Sequence, residues 1–169
     1  YLRDERKVHN LLFVYSPSAG SWDKPVWVNV DGEKKKREWT AWEEYPGPEW
    51  VDVLAIDHYA KNAEAFARDL TRLDEVAVRA AAEGKPCALS ETGVSGGIGE
   101  SAEFARGWYG YLLAQLERRP LAYAMVWANR STGKERWVPV GALGDDVDDF
   151  VKFHGDARTL FEGELRKLW

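Results

Sequence analysis

Four short apolar runs organise the chain, and each one ends in a polar or aromatic cluster. The runs cover residues 11–15, 51–56, 86–90 and 121–127. Each is continuous rather than alternating, which is typical of strands that are buried on both faces of a parallel sheet. The pattern therefore predicts four buried strands.

Between the runs, apolar residues recur at helical spacing. Residues 63–82 carry one apolar face, and Gly84 is placed to end that helix. Ser101 is a candidate N-cap for a second helix, and one or two closing helices are predicted from Asp145 onward. The apolar positions of the first two helices are Phe66, Leu70, Leu73, Val76, Ala77, Ala80, Phe104, Trp108, Tyr111, Leu112 and Leu116.

This alternation of strand and helix predicts parallel strands joined by helical crossovers. Two architectures fit: a doubly wound sheet, or half of an eight-stranded barrel, since a full barrel needs about 250 residues. The polar and aromatic clusters follow the C-terminal ends of the strands, which is where barrel enzymes carry their active sites. We therefore favour α/β with a half-barrel architecture.

Composition narrows the function classes. The chain has 169 residues and a formal charge of −5, which disfavours a nucleic-acid partner. It has no apolar run near the roughly 20 residues of a membrane span, so no membrane partner is expected. Nine tryptophans suit stacking on sugar rings, although tryptophan also fills cores. The charge-dense run 33–38 is predicted to be a solvated surface loop.

The strand ends supply the candidate chemistry. The residues there are Asp57, His58, Tyr59, Glu91, Trp127 and Asn129. Glu91 stands where the third strand runs out, and Gly93 is expected to let the backbone turn sharply. A helix-capping role for Glu91 remains open at this point. We find no phosphate-binding glycine motif, no zinc-type histidine pair and no serine elbow, so neither a cofactor nor a metal is expected.

Four segments together resemble glycoside hydrolase family 26, the endo-β-mannanase family of the clan A (β/α)8 barrels. Residues 9–17, 45–59, 85–93 and 122–129 look like its fifth, sixth, seventh and eighth strands, in that order. The resemblance covers nearly the whole chain. It implies that residues 1–169 are a partial catalytic domain, namely the C-terminal half of the barrel.

The resemblance also implies roles for individual residues. Glu91 matches the catalytic nucleophile, and Tyr59 matches the tyrosine that orients it. Trp127 matches a sugar-stacking tryptophan, and Asp57 belongs to the same motif as Tyr59. Asp57, His58 and Asn129 are expected to bind the substrate. Structural alternatives stay open, because Tyr59 and Trp127 suit a core and Asp57 suits a helix cap.

Two positions depart from the family pattern. Ser90 replaces the usual threonine, and Ala128 stands where the family often has arginine, with Arg130 two residues further on. The same family includes β-glucanases and β-1,3-xylanases, so these activities are alternatives to β-mannan hydrolysis. A non-catalytic carbohydrate-binding protein and a flavodoxin-like domain are the rivals from other classes.

The resemblance leaves one catalytic group unmatched. The family's acid/base glutamate follows its fourth strand, and no residue here corresponds to it. The chain opens at Tyr1 in what looks like the tail of a helix, so we expect a piece of a longer protein. Its partner would be the missing N-terminal half-barrel, and these residues alone should be inactive. Secretion is expected by family resemblance.

Overall fold

A computed structural model of the chain describes residues 1–98, 103–130, 135–139 and 145–165. The described strands are β1 (Val14–Tyr15), β2 (Val26–Val30), β3 (Glu33–Arg37), β4 (Val53–Ala60), β5 (Cys87–Val94) and β6 (Leu121–Val126). The described helices are α1 (Ala63–Asp69), α2 (Thr71–Ala82), α3 (Glu103–Arg106), α4 (Trp108–Leu116), α5 (Asp145–His154) and α6 (Glu162–Leu165).

The main sheet has four strands in the order β1-β4-β5-β6, and every neighbouring pair is parallel. Its strands therefore follow one another around the sheet in chain order. A doubly wound sheet reverses its strand order at a switch point, whereas successive barrel strands do not. The topology confirms the predicted strand alternation and fits one sector of a barrel.

Helix α2 covers the outer face of the sheet, as its predicted apolar face requires. Leu73, Val76 and Ala80 are buried in the same core as Ile56 of β4 and Leu89 of β5. After α2, Gly84 ends the helical segment with a φ of 66°, the left-handed conformation that favours glycine. The core thus lies between the helices and the outward faces of β4 and β5.

Several element boundaries differ from the sequence-based prediction. The predicted helix over residues 63–82 is divided at Leu70, and Asn62 caps its first part by accepting a hydrogen bond from the Ala65 N–H at 2.8 Å. Strand β1 has only two residues, and β5 runs through Glu91 instead of ending before it. The predicted cap Ser101 lies outside the described residues.

The charged run predicted to be a surface loop is instead strand β3 of a hairpin. It pairs with β2 across a tight turn at Asp31 and Gly32, which both have positive φ. All five residues of β3 are exposed, so the predicted solvation is right and the predicted loop is wrong. Charged side chains protect such an exposed strand from pairing with other chains.

The two outer strands of the main sheet carry exposed apolar side chains. Val14 of β1 is 42% exposed, and Tyr123 and Met125 of β6 are 41% and 46% exposed. Each outer strand also has a pairing partner on one side only within the described sheet. Exposed apolar edges of this kind are surfaces that further strands normally cover.

Across the helices that the structure describes, none combines the length and apolar character needed to span a membrane.

Candidate active site

The candidate site is built on β4 and β5 where the sheet's register brings Asp57 opposite Glu91 and Tyr59 opposite Gly93. Side chains alternate along a strand, so Asp57 and Tyr59 share one face of β4 while His58 faces the other. A register shift between Ile56 and Asp57 interrupts the β4–β5 ladder immediately before this point. Such irregularities re-aim side chains and are frequent beside active sites.

Ser90 secures the backbone at this irregularity. Its hydroxyl donates to the Ile56 carbonyl of β4 at 2.9 Å and lies 2.5 Å from the Ser16 hydroxyl, just after β1. The Ser90 hydroxyl therefore links β5 to β4 and to the segment that follows β1, directly before Glu91. Ser90 thus supplies the hydroxyl that both contacts need.

Tyr59 and Glu91 form the central contact of the site. The Tyr59 phenol donates a hydrogen bond to Glu91 Oε1 with an oxygen–oxygen distance of 2.6 Å. Burial, followed by the hydrogen bond to Glu91, raises the pKa of Tyr59 well above its ordinary value of 10.0. The phenol therefore remains a proton-bearing donor throughout the physiological range. A short bond to a carboxylate also fixes the direction in which that carboxylate points.

Asp57 places a second carboxyl group beside Glu91. Burial raises the pKa of Asp57, a hydrogen bond from Ser18 opposes that rise, and the charge of Glu91 adds to it. The backbone of Asp57 is held as well, because its N–H donates to the Pro17 carbonyl at 3.2 Å. Asp57 is thus a partly buried group anchored to the segment that follows β1.

Trp127 completes the site from the end of β6. Its backbone N–H donates to the Thr92 carbonyl of β5 at 3.0 Å, so the residue is fixed directly beside Glu91's strand. A cleft of about 310 Å³ brings together the three predicted residues Tyr59, Glu91 and Trp127. The other residues that line it are Ser95, Gly96, Arg130, Glu135 and Trp137.

No local sequence pattern predicts that Trp137 belongs to this cleft. Its indole Nε1–H donates to the Val94 carbonyl at 2.8 Å, and its ring meets Tyr59 edge-on with centroids 6.0 Å apart. A Cβ atom at Gly93 would overlap the indole. Gly93 lies within β5 and has no positive φ, so its role is this close approach and not the predicted sharp turn.

Two of the predicted substrate contacts have partners within the protein. His58 is only 2% exposed and its ring stacks on Phe66 in the core, with centroids 5.2 Å apart. Asn129 is exposed, but its side-chain oxygen accepts from the backbone N–H groups of Trp137 and Val138, and its amide donates to the Val138 carbonyl. His58 therefore packs the core, and Asn129 anchors a loop.

The burial of His58 predicts an acid-sensitive fold. Neither ring nitrogen has a hydrogen-bond partner within the described part of the chain, and burial lowers the pKa of His58 below its ordinary value of 6.5. The unfolded chain therefore binds more protons, so the free energy of unfolding falls as the pH drops below 6.5. Replacing His58 with phenylalanine should reduce this loss by up to about 1.4 kcal/mol per pH unit.

Urea unfolding at pH 7 and pH 5 measures this difference. Phe66→Leu is a suitable control, because it weakens the same packing without removing a titratable group. Equal acid destabilisation in the wild type and in His58→Phe would contradict the assignment.

The sequence of this chain matches a known protein family. The model of glycosyl hydrolase family 26 matches residues 1–112. A curated mannan endo-1,4-beta-mannosidase from Bifidobacterium adolescentis is 32% identical over 174 residues, which cover 95% of this chain and 16% of that protein. The chain thus spans well under half the length of this relative.

Solved structures give the same result. A family 26 β-mannanase from Bacteroides ovatus has a TM-score of 0.73 and 31% identity, covering 94% of this chain and 41% of its own. A modular endo-β-1,4-mannanase from Cellulomonas fimi has a TM-score of 0.74 and 32% identity, covering 97% of this chain and 34% of its own. The described sheet is accordingly part of a (β/α)8 barrel. The chain belongs to glycosyl hydrolase family 26.

Proposed function

We propose that these residues form the nucleophile-bearing part of a retaining endo-β-1,4-mannanase. The observation that carries the proposal is the 2.6 Å hydrogen bond from Tyr59 to Glu91 in a cleft that Trp127 also lines. A fixed carboxylate beside an aromatic face is what attack on a sugar ring requires. Similarity to mannanases of the same family supports the choice of substrate.

Retention of configuration needs two carboxyl groups about 5–5.5 Å apart. In the first step Glu91 forms a bond to the anomeric carbon, while the bond from that carbon to the leaving oxygen breaks and the acid protonates that oxygen. In the second step water attacks the same carbon, its proton passes to the acid/base group, and Glu91 is released. Tyr59 holds Glu91 on the line of attack.

We assign the acid/base role to a carboxyl group outside residues 1–169. Glu135 lies in the cleft, but its carboxylate already pairs with Arg130 at 2.9 Å. Asp57 is not assigned this role either, because Ser18 donates a hydrogen bond to its side chain and it lies on the same sheet as Glu91. The open edges of the sheet support the presence of further strands, which would be the missing N-terminal half-barrel. A polymeric substrate also favours a secreted, extracellular enzyme.

The direct test is hydrolysis by the full-length protein that carries this chain. We expect cleavage of unsubstituted β-mannan, glucomannan or galactomannan into oligosaccharides, and proton NMR should detect the β-anomer of the new reducing end first. Faster cleavage of mixed-linkage β-glucan or β-1,3-xylan would assign one of the related activities instead. Glycan binding without cleavage would favour a carbohydrate-binding protein.

Replacing Tyr59 with phenylalanine tests the proposed positioning of Glu91. This change removes one preorganised donor and keeps the ring, so kcat on β-mannan should fall about 10²-fold. KM should change little, because the phenol acts on Glu91 and not on distant sugar units. Steady-state kinetics of the full-length variant provide the measurement. A rise in KM at unchanged kcat would instead make Tyr59 a simple binding residue.

A further inference from the structure

We propose that Trp137, held in place by Asn129, is a positioning residue for the Tyr59–Glu91 pair. The role in catalysis rests on the proposed function, whereas the positioning itself is a statement about geometry. Trp137 follows β6 and lies outside the strand-end motifs. It reaches back across β5 and forms the wall of the cleft behind Tyr59.

Three anchors from separate parts of the fold fix the position of Trp137. Its indole N–H donates to Val94 of β5 at 2.8 Å, and its backbone N–H donates to Asn129 Oδ1 at 2.8 Å. Its carbonyl accepts from the Tyr109 hydroxyl of α4 at 2.5 Å. The side chain is only 5% exposed. Both ends of the residue are therefore held, and the indole has one orientation.

Gly93 allows the indole to come close enough to act on Tyr59. The two strands place Gly93 directly opposite Tyr59, and the missing Cβ leaves the space that Trp137 occupies. The indole then meets the Tyr59 ring at an interplanar angle of 71°, an edge-to-face contact. The indole thus fills the space beside Gly93, and we expect this to keep the Tyr59 ring from turning toward that position. Its hydroxyl stays at Glu91.

Asn129, which follows β6, holds the segment that contains Trp137. Its side-chain oxygen accepts from the backbone N–H groups of Trp137 and Val138 at 2.8 and 2.9 Å, and its amide donates to the Val138 carbonyl at 2.9 Å. A single amide thus makes three hydrogen bonds to the backbone of this short segment. The neighbouring carbonyl of Arg136 accepts from the Ile98 N–H at 2.7 Å, which joins the segment to the loop after β5.

The contrast to be tested is between positioning and ordinary core packing. A residue that acts through Tyr59 loses its effect once the Tyr59 hydroxyl is gone, whereas a residue that only stabilises the fold acts independently of it. A double-mutant cycle separates these cases, because coupled residues give non-additive effects. Trp108 is a matched control, since it is a fully buried tryptophan on α4 that is not among the cleft-lining residues.

The experiment measures kcat and KM of the full-length protein on β-mannan. Trp137→Ala should lower kcat about 10²-fold with little change in KM, because a displacement near 1 Å at a catalytic group has that effect. In the Tyr59→Phe background the same change should lower kcat less than about threefold. Trp108→Phe should leave kcat of the folded enzyme unchanged in both backgrounds. Multiplicative effects of Trp137→Ala and Tyr59→Phe would overturn the proposal.

Trp137→Phe covers the case in which the alanine variant fails to fold. Phenylalanine keeps an aromatic edge near Tyr59 but loses the bond to Val94, so it should lower kcat about tenfold, again only when the Tyr59 hydroxyl is present. Asn129→Asp should lower kcat in the same way, because the carboxylate keeps the acceptor and loses the donor to Val138. Wild-type kcat in both variants would overturn the proposal.

An activity-independent measurement separates this inference from the proposed function. Crystal structures of the wild type and of Trp137→Phe should differ in the distance from the Tyr59 hydroxyl to Glu91. We expect it to lengthen or to show a second Tyr59 rotamer in the variant. An unchanged single rotamer in the variant would overturn the positioning role even if no glycan were cleaved. An inactive wild type, by contrast, would overturn only the proposed function.

Discussion

Replacing Glu91 with alanine in the full-length protein should lower the hydrolysis of β-mannan by at least about 10⁴-fold. In the proposed mechanism, the change removes the oxygen that bonds to the anomeric carbon. The rest of the cleft should stay intact, because Glu91 has Tyr59 as its hydrogen-bond partner and is not a core residue.

Azide makes this prediction specific for a nucleophile. The small anion enters the space that the Glu91 side chain leaves, and it attacks an aryl β-mannoside whose leaving group needs no acid. The product should be the α-mannosyl azide, with inverted configuration, and NMR identifies it. Glu75→Ala serves as the control, because Glu75 pairs with Arg72 on α2 and plays no part in the cleft. Full activity of Glu91→Ala would show that Glu91 is not the nucleophile.

The second large effect is expected from removing everything outside residues 1–169. Loss of the acid/base group alone should reduce turnover by about 10²–10⁴-fold. The loss should be larger on unactivated β-mannan than on an activated aryl β-mannoside, because only the former has a leaving group that must be protonated. Parallel assays of residues 1–169 and of the full-length protein on both substrates provide the measurement.

The unpaired edges of β1 and β6 predict a second difference between residues 1–169 and the full-length protein. Residues 1–169 expressed alone should self-associate through the edges of β1 and β6, which size-exclusion chromatography detects. Mixing them with the remaining part of the protein should restore both a monodisperse complex and activity. Equal specific activity of residues 1–169 and of the full-length protein would contradict the placement of the acid/base group elsewhere.

The strands were predictable because each is a continuous apolar run. Only β4 and β5 are buried as that pattern predicts, whereas β1 and β6 contain no buried residue within the described structure. The hairpin β2–β3 differs from the predicted loop although its sequence carries a hairpin signal. Asp31-Gly32 stands between an alternating segment and a charged one, which is a strong hairpin pattern. The lysine-rich composition of β3 obscured it. Strand β1 is short because Pro17 follows and lacks the N–H that the ladder needs.

The site could be predicted only as far as its residues lie on strands. Tyr59, Glu91 and Trp127 converge because the C-terminal ends of parallel strands meet at one edge. The alternation of side chains along β4 also indicates that His58 must face away from Asp57 and Tyr59. Trp137 had no comparable signal, because its position depends on hydrogen bonds from Asn129, Val94 and Tyr109 that no local pattern records.

The missing Cβ of Gly93 joins two positions that are 44 residues apart in the numbering, 93 and 137, into one steric unit. Neither position is free to change by itself: a larger residue at 93 collides with the indole, and a smaller one at 137 leaves a void behind Tyr59. Substitutions at positions 93 and 137 are therefore expected to occur together in related sequences. A directed-evolution library should randomise both codons together, since single-site libraries do not sample paired replacements.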